Sequence, residues 1–173
     1  MKNKLTDKIL SNSNVFVIAG PCSAESSDQV AQISQEIVAN SEVQMLRAGI
    51  WKPRTHPDSF EGLGVKALPW LVEAGKKNGL PTCTEVANKA HVDAALNAGV
   101  DALWIGARTT VNPFAVQEIA DALKGTNTPI LIKNPINPDL ELWLGAFERF
   151  NKAGLDDLTA IHRGFSIYNH AKY

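Results

Sequence analysis

The stretch Leu96–Leu103, LNAGVDAL, indicates how this chain is built. It reads as the end of a helix, a glycine at the helix C-cap, and then the first residues of a buried strand. A second joint of the same kind, NKAGLDDL, occupies residues 151–158. The two joints form a weak internal repeat and predict a chain in which helices and strands alternate.

Six short runs are apolar on both faces, as buried parallel strands are. They are VFVIA (15–19), QMLRA (44–48), LPTCT (80–84), ALWIG (102–106), PILIK (129–133) and DLTAI (157–161). The segments between them have helical periodicity. One helix is predicted to start at Ser26 or Ser27, and the last carries the apolar stripe Leu140, Trp143, Leu144 and Phe147. We therefore predict six strands and five helices in residues 15–173, after a polar tail at residues 1–14.

Two α/β architectures fit this order of elements, an open doubly wound sheet and part of a (β/α)8 barrel. The glycine fingerprint of a dinucleotide-binding sheet is missing, because the glycines of EGLG (61–64) follow no strand. A barrel takes about 250 residues, so the 173 residues of this chain correspond to roughly its first six strands. The expected arrangement is six parallel strands in sequential order with the helices on the outer face.

Composition excludes several classes of protein. The net charge of -1 is unlike the basic surface of most nucleic-acid-binding proteins. No apolar run approaches the roughly 20 residues that span a membrane. The polar N-terminus lacks the apolar core of a signal peptide, and the two cysteines, Cys22 and Cys83, suit a reducing compartment. The sequence thus predicts a cytoplasmic protein with no nucleic-acid or membrane partner.

Cations recur where the predicted strands end. Both architectures place ligands at the carboxyl ends of the strands. Cations that gathered there without anionic partners would repel one another by roughly several kcal/mol at low effective dielectric. Anionic groups among them would remove that cost, and arginine and lysine are suited to phosphate and carboxylate. The cationic residues at or after the strand ends are Arg47, Lys52, Arg54, Arg108, Lys133 and Arg163. Their number predicts a ligand with more than one anionic group.

Two further side chains lie at the same predicted mouth. Cys22 follows a Gly-Pro turn after the first strand, where it is either a small buried residue, a nucleophile or a metal ligand. Glu85 is the only carboxylate directly at a strand end. It could balance a cation, hold a water molecule, or act as an acid or base.

Six motifs together give the chain a family resemblance. They are AGPCSAES, RAGIWKPRT, TEV, WIGARTT, IKNP and IHRG, in the right order and spacing. The chain resembles 3-deoxy-D-arabino-heptulosonate 7-phosphate (DAHP) synthase, the first enzyme of the shikimate pathway, which leads to the aromatic amino acids. More narrowly, it resembles the short bacterial type I beta subfamily, some members of which carry a C-terminal chorismate mutase domain.

The resemblance implies a (β/α)8 barrel and a transferase. The implied reaction condenses phosphoenolpyruvate with erythrose 4-phosphate, and the family uses a divalent metal of the manganese, iron, cobalt or zinc type. In that reaction the metal polarises the aldehyde, C3 of phosphoenolpyruvate attacks it, water adds at C2 and phosphate leaves. A homo-oligomer is also expected.

The family motifs further imply a role for each site residue. Cys22 would be a metal ligand, and Lys52 and Glu85 would be catalytic, with Glu85 orienting a water molecule. Arg54 and Thr55 would contact erythrose 4-phosphate. Phosphoenolpyruvate would be held by Arg47, Lys52, Arg108, Lys133 and Arg163.

The sequence departs from the family after its sixth strand. The family's remaining metal ligands, a His, a Glu and an Asp, lie on the last two strands, and neither those strands nor a mutase domain occurs in these 173 residues. A single ligand such as Cys22 is a poor metal site. We therefore expect this chain to be truncated and to lack appreciable synthase activity alone.

Three other functions fit part of the sequence. The first is 3-deoxy-octulosonate 8-phosphate synthase, which joins phosphoenolpyruvate to arabinose 5-phosphate, although KPRT (52–55) argues against it. The second is a Schiff-base aldolase with Lys133 as its nucleophile. The third is an inactive fragment that binds phosphate-bearing ligands without turnover.

Overall fold

The strands form one parallel sheet in sequential order. A computed structural model describes residues 4–11 and 15–166. Its sheet order is β1-β2-β3-β4-β5-β6, with every neighbouring pair parallel. The strands are β1 (Val17–Ala19), β2 (Val43–Arg47), β3 (Thr82–Val86), β4 (Ala102–Ile105), β5 (Ile130–Lys133) and β6 (Leu158–Ile161). This is the order of a (β/α) barrel and confirms that prediction, whereas a doubly wound sheet would reverse its order.

Helices connect the strands. They are α1 (Leu5–Ser11), α2 (Ser27–Asn40), α3 (Leu68–Asn78), α4 (Lys89–Ala98), α5 (Ala107–Thr110), α6 (Pro113–Ala122) and α7 (Leu140–Lys152), with a 3-10 turn at Gly64–Ala67. Ser26 caps α2 by accepting a hydrogen bond from the backbone of Gln29. Gly99 ends α4 at φ +86°, a backbone conformation that favours glycine. None of the helices in the described residues is long and apolar enough to cross a membrane.

The two faces of the sheet have different partners. On the outer face, Leu103 and Ile132 are fully buried in a large cluster with residues of the helices, among them Leu71, Ile119 and Phe150. A smaller cluster covers the inner face and comprises Leu5, Met45, Cys83, Ala102, Trp104 and Leu131. Because strand side chains alternate between faces, strands such as β2 and β4 contribute to both clusters, with Leu46 and Leu103 on the outer face and Met45 and Trp104 on the inner face. The inner cluster forms the floor beneath the carboxyl ends of the strands.

Residues 1–14 hold more structure than the predicted polar tail. Helix α1 lies in this segment, and its Leu5 is only 6% exposed within the inner cluster. The carboxylate of Asp157 accepts hydrogen bonds from the backbone N–H groups of Leu5 at 2.7 Å and Thr6 at 3.0 Å. Only the tertiary structure supplies this acceptor, which lies more than 150 residues away in sequence, so the prediction missed the helix.

The apolar stripe predicted for the last helix was partly wrong. In α7, Leu140 and Leu144 are 56% and 55% exposed, whereas Ala146 and Phe150 are buried. The side chain of Trp143 is half-buried and donates a hydrogen bond to the Ile132 carbonyl at 3.1 Å. Several phases of the helical period fit this sequence, and packing against the sheet selects the one centred on Phe150.

Candidate active site at the carboxyl ends of the strands

Two of the predicted cations share one aromatic surface. Arg47 ends β2 and Lys133 ends β5, and both lie on the inner face of the sheet above Trp104 of β4. The Arg47 guanidinium carbon is 4.7 Å from the centroid of the Trp104 ring, and the Lys133 Nζ is 5.2 Å from it. Both distances are typical of cation–π contacts. The sheet thus brings together cations that are 86 positions apart in the sequence (133 minus 47).

The carboxylate of Glu85 lies in the same group. Its Oε2 accepts a hydrogen bond of 2.8 Å from the indole N–H of Trp104. Gly106 makes room for this carboxylate, because a Cβ at position 106 would lie 2.7 Å from the Glu85 Cδ and closer still to Oε1. Glu85 is therefore positioned by the hydrogen bond from Trp104 and occupies space that is open only because residue 106 has no side chain.

The Gly-Pro-Cys turn after β1 lies beside Arg47. Arg47 donates a hydrogen bond from Nη1 to the Pro21 carbonyl at 2.8 Å. Lys52 donates from Nζ to the Cys22 carbonyl at 2.7 Å and lies 3.4 Å from the Cys22 Sγ. The hydrogen bond and positive charge of Lys52 lower the pKa of the exposed Cys22 thiol below its ordinary value of 9.0, with a smaller contribution from Arg47. The thiolate of Cys22 is therefore more favourable than that of an unperturbed cysteine.

The KPRT loop, residues 52–55, is exposed for most of its length. The Lys52 backbone N–H donates to the Glu61 carbonyl at 2.8 Å. Arg54 donates from its Nε to the Phe60 carbonyl at 2.9 Å. Arg108 comes from the short helix α5 and faces the Pro53 carbonyl at 3.4 Å. Arg108 thus borders this loop rather than Trp104, and Thr55 is exposed on the loop itself.

A buried asparagine holds the backbone at Arg163 next to the site. Asn134 follows β5, is fully buried, and accepts a hydrogen bond of 2.7 Å from the Arg163 backbone N–H. Its amide group also donates to the Gly164 carbonyl at 2.8 Å. Asn134 therefore fixes the loop after β6, and Arg163 is close enough to act electrostatically on Lys133.

Four cations, Arg47, Lys52, Lys133 and Arg163, act on one another beside Trp104 and Glu85, and these six residues form the anion pocket of the site. Burial lowers the pKa of the Lys133 ammonium below its ordinary value of 10.5. The negative charge of Glu85 raises this pKa, and the positive charges of Arg47, Lys52 and Arg163 lower it further. Among the described residues, the ion pairs within 4 Å are those of Lys4, Lys89 and Lys124 with nearby aspartates. Within the described ranges, none of the four cations of the anion pocket has a carboxylate oxygen within 4 Å, and Glu85 is the one carboxylate that acts on Lys133.

The described residues do not complete a metal site. Cys22 supplies one soft donor, but within residues 4–11 and 15–166 no three His, Cys, Asp or Glu side chains gather as metal ligands do. Metal sites in proteins usually take three or four protein ligands. The donor set of this part of the chain does not fit a bound divalent metal by itself.

Two residues of the site were missed in the sequence. Trp104 was interpreted only as part of an apolar strand and Asn134 only as part of the IKNP motif. The signal for Trp104 was the alternation of side chains along β4, which places it on the same face as Glu85 in the adjacent strand. For Asn134, no local signal indicated that its amide would contact a loop 30 positions later.

Comparisons with known proteins agree with this geometry. Residues 3–173 match the family model described as the DAHP synthetase I family. A curated relative named phospho-2-dehydro-3-deoxyheptonate aldolase, from Thermotoga maritima, is 31% identical over 167 residues, which is 96% of this chain and 48% of the relative.

Two solved structures from Thermotoga maritima have similar folds. A crystal structure of phospho-2-dehydro-3-deoxyheptonate aldolase (DAHP synthase) aligns with a TM-score of 0.77 and 29% identity, covering 90% of this chain and 44% of the other. A truncated form of 3-deoxy-D-arabino-heptulosonate 7-phosphate synthase aligns with a TM-score of 0.73 and 26% identity, covering 90% and 53%. The chain thus spans about half the length of the relatives it matches. On these motifs, this sheet order and this match over nearly its whole length, the chain belongs to the DAHP synthetase I family.

Proposed function

We propose that this chain carries the phosphoenolpyruvate-binding part of a DAHP synthase active site. The observation that carries the proposal is the group of cations around Trp104 and Glu85, none of which has a carboxylate oxygen within 4 Å among the described residues. Phosphoenolpyruvate has a phosphate and a carboxylate close together, so it offers charge to cations on several strands at once. The reaction proposed for the whole enzyme is its condensation with erythrose 4-phosphate.

The roles of the residues follow from their places in the site. Arg47 and Lys133 approach from opposite sides of β4 and would hold the two anionic groups of phosphoenolpyruvate over the Trp104 ring. Lys52 and Arg163 add charge at the margin. Glu85 lies beside the bound substrate, where a carboxylate could orient the water that adds to its C2. Holding the substrate in a fixed pose lowers the entropic cost of the two-substrate reaction.

Arg54 and Thr55 are proposed for the second substrate, whereas Arg108 beside them keeps its proposed role in binding phosphoenolpyruvate. They lie on or beside the exposed loop of residues 52–55. Arginine side chains bind phosphate with two parallel hydrogen bonds. In this proposal the loop receives the phosphate of erythrose 4-phosphate while Lys52, its first residue, faces the phosphoenolpyruvate pocket.

Cys22 is proposed as the contribution of this chain to the metal site. A divalent metal would act as a Lewis acid toward the aldehyde of the second substrate. The thiolate that such a metal requires is favoured here by Lys52. The described residues supply no further cluster of ligands, so Cys22 would hold the metal only together with ligands from outside them.

Calorimetric titration of the 173-residue protein with phosphoenolpyruvate tests the binding role. The Lys133→Met variant removes one charge-assisted contact, worth about 1.5–3 kcal/mol, so its Kd should rise about ten- to a hundredfold. Lys124→Met is the matched control, because Lys124 is exposed on the outer surface and pairs with Asp121. Equal affinity in the wild type and both variants, or no binding to the wild type, would refute the proposal.

A second assay separates synthase activity from binding alone. Phosphoenolpyruvate loss is followed with manganese and either erythrose 4-phosphate or arabinose 5-phosphate, with and without a chelator. Loss that depends on erythrose 4-phosphate and stops with the chelator supports the complete reaction. Binding without turnover would restrict this chain to ligand binding, and a preference for arabinose 5-phosphate would assign the related synthase reaction instead.

A further inference from the structure

Trp104 contacts more of the proposed site than its neighbours on the strand do. Its side chain is 5% exposed. It lies on β4, between β3 and β5, and contacts side chains of both strands. Its ring faces Arg47 and Lys133, and its indole N–H is bonded to Glu85. One buried side chain thus connects two cations and one carboxylate that belong to three other strands.

The contacts of the ring and of the indole N–H are chemically distinct. The negative face of an indole attracts cations, so the ring holds Arg47 and Lys133 near each other in spite of their repulsion. The N–H is a donor only, so it can hold the carboxylate of Glu85 but not replace it. A tryptophan that only packed the core would need neither the cation–π contacts nor the hydrogen bond to Glu85.

We propose that Trp104 is a positioning residue of the anion pocket. Its ring holds Arg47 and Lys133 in place, and its indole N–H orients Glu85. This inference rests on the proposed function, because it assigns these three residues to the binding of phosphoenolpyruvate. Trp104 acts through its neighbours.

The indole N–H resonances of the ¹⁵N-labelled 173-residue protein provide the test. Assignment of the Trp104 signal follows from its loss in the Trp104→Phe variant. Phosphoenolpyruvate should shift the Trp104 signal with the same Kd as calorimetry gives. Trp143 is the internal control, because its indole N–H bonds the Ile132 carbonyl on the outer face of the sheet and should not respond.

Glu85→Gln tests the hydrogen bond without any ligand. A neutral amide is a weaker acceptor than a carboxylate, so the Trp104 indole proton should move upfield while that of Trp143 stays in place. Two variants of Trp104 then separate the two roles. Trp104→Phe keeps a ring beneath the cations and should retain phosphoenolpyruvate affinity within about threefold, whereas Trp104→Leu should lose about tenfold, as expected for two cation–π contacts.

The outcomes distinguish this inference from the proposed function. If the wild type binds phosphoenolpyruvate but the Trp104 signal responds neither to the ligand nor to Glu85→Gln, the positioning role is overturned and the proposed function stands. If Trp104→Leu, folded by circular dichroism, binds phosphoenolpyruvate as tightly as Trp104→Phe does, the role of the ring in holding the cations is overturned. If the wild type does not bind phosphoenolpyruvate, the proposed function and this role are both overturned.

Discussion

Replacing Gly106 by alanine should disturb the site through one identifiable collision. The added Cβ would lie 2.7 Å from the Cδ of Glu85 and closer to its Oε1, well inside ordinary van der Waals contact of about 3.5 Å. Gly106 has φ -72°, which alanine adopts readily, so the backbone itself is not strained. The carboxylate must therefore move and give up its 2.8 Å hydrogen bond from Trp104.

The expected cost can be worked out from these contacts. A hydrogen bond to a charged group contributes about 1.5–3 kcal/mol, and a Gly→Ala change at a compatible backbone position returns about 0.4–1 kcal/mol through the unfolded state. Gly106→Ala should thus lower the free energy of unfolding by about 0.5–2.5 kcal/mol. Gly145→Ala in α7 is the control, because nothing lies within 4 Å of its added Cβ, and it should stabilise the protein.

Urea denaturation of a double-mutant cycle isolates the collision. In a Glu85→Ala background, Gly106→Ala has no carboxylate to displace, so it should be neutral or slightly stabilising. An equal loss of stability with and without the Glu85 side chain would show that Gly106 is required for another reason. A Gly106→Ala protein with wild-type stability and an unchanged Trp104 indole signal would refute the reasoning outright.

Three further predictions concern residues outside the anion pocket. Asp157→Ala removes the acceptor of the α1 backbone and should cost about 2 kcal/mol in urea, whereas Asp156→Ala, which breaks an exposed ion pair, should change little; equal losses would contradict this. Iodoacetamide should label Cys22 and spare Cys83, whose burial raises its pKa to about 12, and mass spectrometry showing two labels on the native protein would oppose it. Burial lowers the pKa of His91 below 6.5. The contribution of neutral His91 to the free energy of unfolding should therefore be complete above pH 6.5 and be lost as the pH falls through the folded pKa. If the free energy of unfolding depends on pH in His91→Gln as it does in the wild type, that assignment is contradicted.

The order of the sheet was predictable because its signals are local. Each strand was predicted from a short, mainly apolar run, and several junctions are marked by a helix cap or a glycine, as at Ser26 and Gly99. Such signals depend on the backbone preferences of a few consecutive residues. The helix α1 lacked them, since its N–H groups are satisfied by Asp157 from the far end of the chain.

The sequence by itself determined which charged side chains follow the carboxyl ends of the strands. Parallel strands in sequential order bring their carboxyl ends to one side, so the cations after those strands had to come near one another, and six motifs indicated the family. That much follows from the order of residues and the period of a strand.

Only the tertiary structure decided how those side chains meet. It placed Trp104 beneath Arg47 and Lys133, joined its indole to Glu85, and used Asn134 to hold the loop of Arg163. These contacts depend on the register between neighbouring strands and on the direction in which each loop leaves the sheet. Neither quantity is encoded in any short stretch of sequence, because each is fixed by packing between residues that are 19 to 86 positions apart, from Glu85–Trp104 to Arg47–Lys133.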